Sequence, residues 1–238
     1  GVGTAGAGVV ARSDARSPSA LSVLTPSVTR MTHVVLFHHM PGWDEASKEM
    51  ARKLAYNGYA TISPNLHFRE GKSTPQDNSA SVREAGGMPD VRTMGDVQAS
   101  INYLRSLSYS NGKVGIIGFC SGGRYTLMFG CTSKNLDAAV DSAGGFIIQD
   151  DFPPTRPTSP IDMVKDLSCP LLGLFGEEDP NPSPEHADKL QAELEKHGKE
   201  YEMQMYPNAG HAFFADYRDS YRPVDSWSVL DTLSASQK

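Results

Sequence analysis

The stretch VGIIGFCSGG, residues 114–123, joins a short apolar run to a glycine-rich turn. Residues 114–117 are typical of a buried strand, and Gly118 and Gly122 stand two positions before and two positions after Cys120. This is the pattern G-x-S-x-G with cysteine in the serine position, in which a strand meets a helix through a sharp turn that needs glycine on both sides. The stretch therefore predicts a strand, a strained turn at Cys120 and a helix.

Short apolar runs and helical stretches alternate on both sides of this turn. The sequence predicts strands at residues 32–38, 60–63, 114–117, 138–142, 171–175 and 201–206, and helices at residues 44–57, 96–107, 121–129, 184–197 and 223–233. Such alternation is typical of a mostly parallel sheet with helices on both faces. Because parallel strands are joined by right-handed crossovers, their carboxyl ends open on one edge, where we expect the functional residues.

The length and composition fit one α/β domain. The chain has 238 residues, of which 39% are hydrophobic and 21% charged, and domains of this class often exceed about 200 residues without splitting. We predict a single domain at residues 31–238. Residues 1–30 show neither clear alternation nor helical periodicity, so they are expected to form an N-terminal arm or weak edge strands.

Charge and hydropathy argue against nucleic acid and membrane partners. The formal net charge is −6, the basic residues are scattered, and no run approaches the roughly 18 apolar residues that span a bilayer. The first 30 residues contain no apolar run like that of a signal peptide, and three cysteines without a CxxC pair favour a reducing compartment. We therefore expect a cytoplasmic protein. No cofactor is expected, because residues 115–123 fit neither of the common nucleotide-binding glycine patterns.

Two later segments place an acid and a base after strands. The sequence GEEDP contains Asp179 and the sequence PNAGH ends at His211. Because a thiol with a pKa near 8.5 is ionised only slightly at neutral pH, a neighbouring imidazole is needed, and we expect His211 to be this base. Asp179 is expected to fix the second ring nitrogen, with Glu177 and Glu178 as competitors for that role.

The order nucleophile, acid, base is that of the α/β-hydrolase fold. In this fold the thiol of Cys120 stands at a helix N-terminus, where the helix dipole and free amides favour a thiolate and later an oxyanion. The amide of Ser121 is the expected first oxyanion donor.

Taken together, these segments resemble the dienelactone hydrolase (carboxymethylenebutenolidase) family. The resemblance covers about residues 34–233 and depends on four segments, which are residues 64–69, 109–123, 176–180 and 209–213. It implies an α/β-hydrolase fold and hydrolysis of a small ester or lactone through a Cys-His-Asp triad and an acyl-thiol intermediate. The triad roles then belong to Cys120, His211 and Asp179, and the amide of Met40 is by analogy the second oxyanion donor.

Two positions depart from the enzyme that gives the family its name. His39 stands where that enzyme has a Glu that holds the resting thiol, so we expect a thiolate paired with protonated His211. Ala215 stands where it has an Arg that receives the substrate carboxylate, so neutral esters or lactones are expected to be preferred. Another arginine could take over this role, and the candidates are Arg69, Arg83, Arg92 and Arg124.

Five side chains are predicted to line a substrate pocket beside the thiol. They are His39, Trp43, Phe119, Arg124 and Tyr125. Trp43 and the aromatic pair Phe213 and Phe214 are more often packing residues than substrate contacts, so packing remains an alternative for them. The sequence favours neither a monomer nor a homo-oligomer.

Two other functions were weighed against hydrolysis. Cys120 could be a redox-sensing or partner-binding thiol in a non-catalytic protein, but such a thiol would not require His211 and Asp179 in this order. A metal site could be built from the histidines His38, His39, His67 and His211. Neighbouring strand residues point to opposite faces and no HExxH spacing occurs, so no metal is expected.

Overall fold

A computed structural model describes residues 7–10, 31–71, 74–216 and 218–222. Within these ranges a seven-stranded sheet has the order β1-β3-β2-β4-β5-β6-β7. Its strands are β1 (Ala7–Val10), β2 (Met31–Phe37), β3 (Ala60–Pro64), β4 (Ser110–Phe119), β5 (Ala138–Ser142), β6 (Leu171–Gly176) and β7 (Tyr201–Tyr206). β1 pairs with β3 antiparallel and all other neighbours are parallel. The other residues of the predicted N-terminal arm lie outside the described ranges.

Helices follow most of the strands and complete an α/β architecture, as the sequence predicted. They are α1 (Glu45–Tyr56), α2 (Pro75–Glu84), α3 (Asp90–Ser106), α4 (Ser121–Thr132) and α5 (Pro184–Lys196), with short 3₁₀ turns at Phe68–Glu70 and Pro160–Asp166. None of the helices in the described part of the chain is long and apolar enough to cross a bilayer. The helix predicted at residues 223–233 lies outside the described residues.

Two helices differ from the sequence prediction. α2 was not predicted, because its sequence is almost wholly polar and only Asn78, Ser79 and Val82 are buried. Thr74 caps its first turn and Pro75 stands at the first helical position, which are local signals for a helix start without an apolar stripe. α3 begins at Asp90 rather than at residue 96. The sequence did not indicate these first turns because the apolar Val91 is exposed there and breaks the helical pattern of apolar residues.

The sheet separates two halves of the hydrophobic core, and strand β2 contributes side chains to both. Val35 and Phe37 belong to one cluster, which also contains apolar residues of α3, α4 and α5, whereas Val34 and Leu36 belong to the other. Successive residues of a strand point to opposite faces, so a continuous apolar run is needed where both faces are covered. Each fully buried large side chain contributes about 1.5–3 kcal/mol. The buried β2 and β4 thereby fix the position of the turn at Cys120.

Candidate active site

Cys120 lies between the end of β4 and the start of α4, in a strained backbone conformation. Its φ is 57° and its ψ is −119°, a region that costs a non-glycine residue on the order of 1–3 kcal/mol. The Cys120 amide donates to the carbonyl of Ser142 at 3.0 Å, and the amide of Gly123 donates to the Cys120 carbonyl at 2.9 Å. These backbone bonds hold the thiol above the carboxyl edge of the sheet.

The two glycines that flank Cys120 allow the helix to approach the sheet. A Cβ atom on Gly118 would lie 2.1 Å from the carbonyl oxygen of Gly122, and one on Gly122 would lie 2.5 Å from that of Phe37. Both distances are far below van der Waals contact, so neither position accepts a side chain without movement of the backbone. The glycine spacing in the sequence therefore reflects the close packing of β2, β4 and the first turn of α4.

His211 and Asp179 meet in front of this turn. The two residues follow β7 and β6, and the Nδ1 atom of His211 lies 2.7 Å from Oδ2 of Asp179. Asp179 is 2% exposed, and its Oδ1 accepts a hydrogen bond from the amide of Asn181 at 2.8 Å. Glu177 and Glu178 are exposed instead. Of the three acidic side chains in this loop, Asp179 is thus the partner of His211.

The thiol of Cys120 and the imidazole of His211 form the other half of this arrangement. Burial lowers the pKa of His211, but its hydrogen bonds with Asp179 and Cys120 outweigh burial and raise the pKa to about 10. Burial raises the pKa of Cys120, but the hydrogen bond and charge of His211, together with backbone amides, bring the pKa below its ordinary value. The two shifts are those expected when an imidazolium stabilises a neighbouring thiolate.

The rate of alkylation should report this ion pair. We expect the pH dependence of iodoacetamide reaction at Cys120 to give a pKa clearly below that of a free thiol, because His211 stabilises the thiolate. In a His211→Asn variant the same measurement should give a higher pKa than in the wild type, since the hydrogen bond and charge of His211 are lost while burial remains. A wild-type value at or above the free-thiol reference would contradict the ion pair.

Two backbone amides converge on the sulfur of Cys120. They belong to Ser121, at the start of α4, and to Met40, in the loop after β2, and both lower the pKa of the Cys120 thiol because an amide proton near the sulfur stabilises the thiolate. Amides that surround a nucleophile in this way are also placed to bind an oxyanion that forms on a carbonyl attacked by it. The amide of Ser121 was expected from the turn motif, and that of Met40 by analogy with the family.

Two of the five predicted pocket residues, His39 and Phe119, line one cleft of the structure. Phe119 packs against Phe214 with ring centroids 4.2 Å apart, and the Nε2 atom of His39 lies 2.9 Å from Oδ2 of Asp44. His39, Phe119 and Phe214 line a cleft that Ala215 also lines, between α1 and the loop after β7. Trp43 lies in the same loop as His39 and is partly exposed. The ammonium group of Lys48 lies over its ring.

The structure does not bring Arg124 and Tyr125 to this cleft. Arg124 is 1% exposed and its guanidinium forms two hydrogen bonds with the carboxylate of Asp90, at 2.7 and 3.2 Å. The hydroxyl of Tyr125 donates to the carbonyl of Met88 at 3.0 Å. Both polar ends are therefore held inside the protein, and the spacing on α4 alone could not show that these residues face the core.

The arginines considered as carboxylate receptors are mostly paired. Arg69 forms two hydrogen bonds with Asp96, at 2.6 and 2.8 Å, and Arg92 pairs with Glu70. Arg124 is buried against its own carboxylate as described above, whereas Arg83 is exposed on α2. Within the described residues, no group of three His, Cys, Asp or Glu side chains is arranged to hold a metal ion.

Asp141, at the end of β5, is a residue near the turn that the sequence did not single out. It is 0% exposed, and neither of its carboxyl oxygens has a hydrogen-bond partner among the described residues. A Cβ atom on Gly123 or on Gly144 would lie 2.3 Å from its Oδ1 atom, so the carboxyl group fills the space beside both glycines. Burial, opposed only partly by the nearby backbone of Gly144, raises its pKa to about 7.

Asp141 should make the stability of the protein depend on pH. Its carboxyl group stays protonated in the folded protein until about pH 7 but ionises near pH 4 when unfolded, so its contribution to stability falls as the pH rises between these values. Asp141→Asn cannot ionise and should raise the melting temperature by several degrees at pH 8 and by little at pH 4. Asp151→Asn, at an exposed position, is the control. An equal change at both pH values would contradict the prediction.

The sequence of the chain is similar to that of proteins from one hydrolase family. The model of the dienelactone hydrolase family matches residues 20–232. A relative from Escherichia coli (strain K12), named "Putative carboxymethylenebutenolidase", is 33% identical over 204 residues, which are 83% of this chain and 74% of the relative. Another from Bradyrhizobium sp, named "Probable 2-oxo-3-(5-oxofuran-2-ylidene)propanoate lactonase", is 29% identical over 86% of this chain and 82% of its own length.

Solved structures give the same result. The crystal structure of a "Putative Dienelactone Hydrolase" from Klebsiella pneumoniae subsp. pneumoniae MGH 78578 superimposes with a TM-score of 0.79 and 28% sequence identity. The match covers 86% of this chain and 85% of that one. The α/β-hydrolase fold expected from the sequence is thereby confirmed.

Proposed function

The chain belongs to the dienelactone hydrolase family, and we propose that it hydrolyses a small ester or lactone with Cys120 as nucleophile, His211 as base and Asp179 as the acid that orients His211. The single observation that carries the proposal is the pair formed by His211 and buried Asp179, 2.7 Å apart, beside a thiol at a strained turn whose pKa His211 lowers. A redox-sensing thiol, the alternative weighed from the sequence, needs a low pKa but does not need a base that can pass a proton to a leaving group.

The first half of the reaction forms an acyl-thiol. The thiolate of Cys120 attacks the carbonyl carbon of the substrate, and the carbonyl oxygen becomes an oxyanion that accepts hydrogen bonds from the amides of Ser121 and Met40. As the tetrahedral intermediate collapses, the bond from the carbonyl carbon to the alcohol oxygen breaks. His211 gives its proton to the leaving alkoxide, which in a lactone remains attached to the acyl group.

The second half releases the acid. His211, now neutral, takes a proton from a water molecule that attacks the acyl-thiol carbon, and the same amides bind the second oxyanion. Collapse of this intermediate expels the Cys120 thiolate beside protonated His211, which restores the resting ion pair. Each amide that binds an oxyanion is typically worth about 10²–10³ in kcat, and the Asp179 carboxylate keeps the His211 ring in the orientation that both halves need.

The acyl-thiol is the intermediate that tests this proposal. The protein is mixed with an excess of p-nitrophenyl acetate, quenched in acid during turnover and digested, and the acyl group is located by mass spectrometry. We expect it on the peptide that contains Cys120, and we expect prior alkylation with iodoacetamide to abolish both the adduct and turnover. Turnover that survives alkylation, with no acyl group on Cys120, would show that the proposal is wrong.

The absence of an arginine at position 215 predicts which substrate charge the protein prefers. An arginine that holds a substrate carboxylate is worth on the order of 2 kcal/mol, a factor of about 30, and neither Ala215 nor the paired Arg69 and Arg92 supplies it. We therefore expect a higher kcat/KM for small neutral esters or lactones than for a dienelactone carboxylate. Ala215→Arg should shift the preference toward the anion.

A neutral side chain of similar length separates charge from size in that experiment. Ala215→Met should leave the ratio of the two kcat/KM values near that of the wild type, because it adds bulk to the cleft without charge. A wild type that already prefers the anion would contradict the argument. It would direct attention to Arg156, whose guanidinium stacks on exposed Phe146 at 4.9 Å.

A further inference from the structure

His38, the residue after β2, is buried and uses both of its ring nitrogens. It is 1% exposed, its Nδ1 atom lies 2.8 Å from the carbonyl oxygen of His39, and the amide of Leu66 donates to its Nε2 atom at 3.1 Å. Since Nε2 accepts a hydrogen bond, the ring proton lies on Nδ1 and is donated to the His39 carbonyl. Burial and the neighbouring His67 lower the pKa of His38 to about 3, so the ring is neutral at neutral pH.

The carbonyl that His38 holds belongs to the same peptide group as the amide of Met40. In a trans peptide the C=O and N–H bonds are coplanar and point in opposite directions. A hydrogen bond that fixes the carbonyl on one side therefore fixes the N–H group on the other, and this N–H group is one of the two amides that lower the pKa of the Cys120 thiol. The same bond also polarises the peptide, which strengthens its N–H group as a donor.

The loop that follows is held at its other carbonyls by hydroxyl groups. Ser79 donates to the carbonyl of Met40 at 2.7 Å, and Ser47 donates to that of Gly42 at 3.0 Å. The Gly42 amide also donates to the His39 carbonyl, at 2.9 Å, and closes a turn. The His39 carbonyl therefore accepts two hydrogen bonds, one from the Gly42 amide within the turn and one from the His38 side chain, and only the second can be removed by replacing a side chain.

We propose that His38 is a positioning residue that orients the peptide between His39 and Met40, so that the Met40 amide binds the oxyanion formed at Cys120. The proposal rests on the hydrolysis proposed above. His38 acts through this peptide group and exchanges no proton during the reaction. Its role is to hold one peptide group in place before the carbonyl is attacked.

His67 offers a matched control because it shares the surroundings of His38 without its hydrogen bonds. It is 2% exposed, and its ring meets that of His38 edge to face, with centroids 4.7 Å apart. Neither of its ring nitrogens has a hydrogen-bond partner among the described residues. Replacement of His67 by phenylalanine thus changes packing beside His38 and leaves the peptide group held.

The experiment compares His38→Phe with His67→Phe in ester hydrolysis and in thiol alkylation. We expect His38→Phe to lower kcat about 10- to 100-fold, somewhat less than the removal of an oxyanion donor, with little change in KM. It should also move the alkylation curve of Cys120 to higher pH, because the Met40 amide stabilises the thiolate as well. His67→Phe should leave kcat and the alkylation curve near those of the wild type.

Two further variants keep the test decisive if His38→Phe does not fold. Asparagine places an amide donor near the position of Nδ1, whereas glutamine places it near Nε2. His38→Asn should therefore retain more of the wild-type kcat than His38→Gln, although it fills less space. A residue needed only for packing would give the opposite order.

The outcomes separate this inference from the proposed function. Equal losses in His38→Phe and His67→Phe, or a loss confined to KM, would overturn the positioning role and leave hydrolysis at Cys120 intact. Hydrolysis that persists in Cys120→Ala would overturn the proposed function instead. In that case the alkylation curve of His38→Phe still decides whether His38 orients the amide toward the sulfur.

Discussion

Replacement of Cys120 by alanine is expected to abolish ester hydrolysis and leave the protein folded. The change removes the only atom that can form the acyl-thiol, so kcat/KM should fall by at least about 10³ on every accepted ester. Alanine keeps the Cβ atom of cysteine, so the strain of the positive φ at this position stays the same. The melting temperature should therefore change little, and the loss can be assigned to chemistry.

The other two cysteines supply the control for this variant. Cys131 and Cys169 are buried, and burial raises their pKa values to about 12 and about 11. Both thiols are protonated at neutral pH and unreactive. Cys169→Ala should lower stability slightly, through lost packing, and keep turnover. If Cys120→Ala retained more than a few per cent of the wild-type turnover on an accepted ester, Cys120 would not be the nucleophile.

The turn at Cys120 could be predicted from the sequence because short-range sterics dictate it. A Cβ atom on Gly118 or Gly122 would come within 2.1 or 2.5 Å of a backbone carbonyl oxygen, so both positions require glycine. The requirement is visible in the sequence as two glycines at a fixed distance from Cys120. The strands were equally visible, since a strand covered on both faces must be apolar throughout. α2 was not predicted because it has no hydrophobic stripe, and its start is marked only by the cap residue Thr74 and by Pro75 at the first helical position.

The side chains around the thiol were harder to place. Spacing on a helix could not show that Arg124 turns inward to Asp90, because that pairing joins residues 34 positions apart. His38 appeared in the sequence only as one of several histidines that a metal might have used. Its hydrogen bonds to the His39 carbonyl and the Leu66 amide depend on how two loops meet at the sheet edge. Asp141 was missed for the same reason.

The acid of the triad should matter nearly as much as the nucleophile, and we expect Asp179→Asn to lower kcat by about 10² or more. Asp179 accepts from His211 through Oδ2 and from the Asn181 amide through Oδ1. An asparagine that keeps the Asn181 bond must present its NH₂ group to His211, which favours the wrong tautomer and removes the charge that raises the pKa of His211.

The same variant should also disturb the resting ion pair, which gives a second and independent measurement. With a less basic His211, the thiolate loses part of its stabilisation, so the alkylation curve of Cys120 should move to higher pH together with the fall in kcat. Glu178→Gln removes a neighbouring carboxylate from the same loop, but one that is exposed, and should change neither quantity. A loss of activity in Glu178→Gln, with Asp179→Asn near wild type, would assign the acid to the glutamate. A fall in kcat without a shift of the alkylation curve would mean that Asp179 orients the ring and leaves its basicity unchanged.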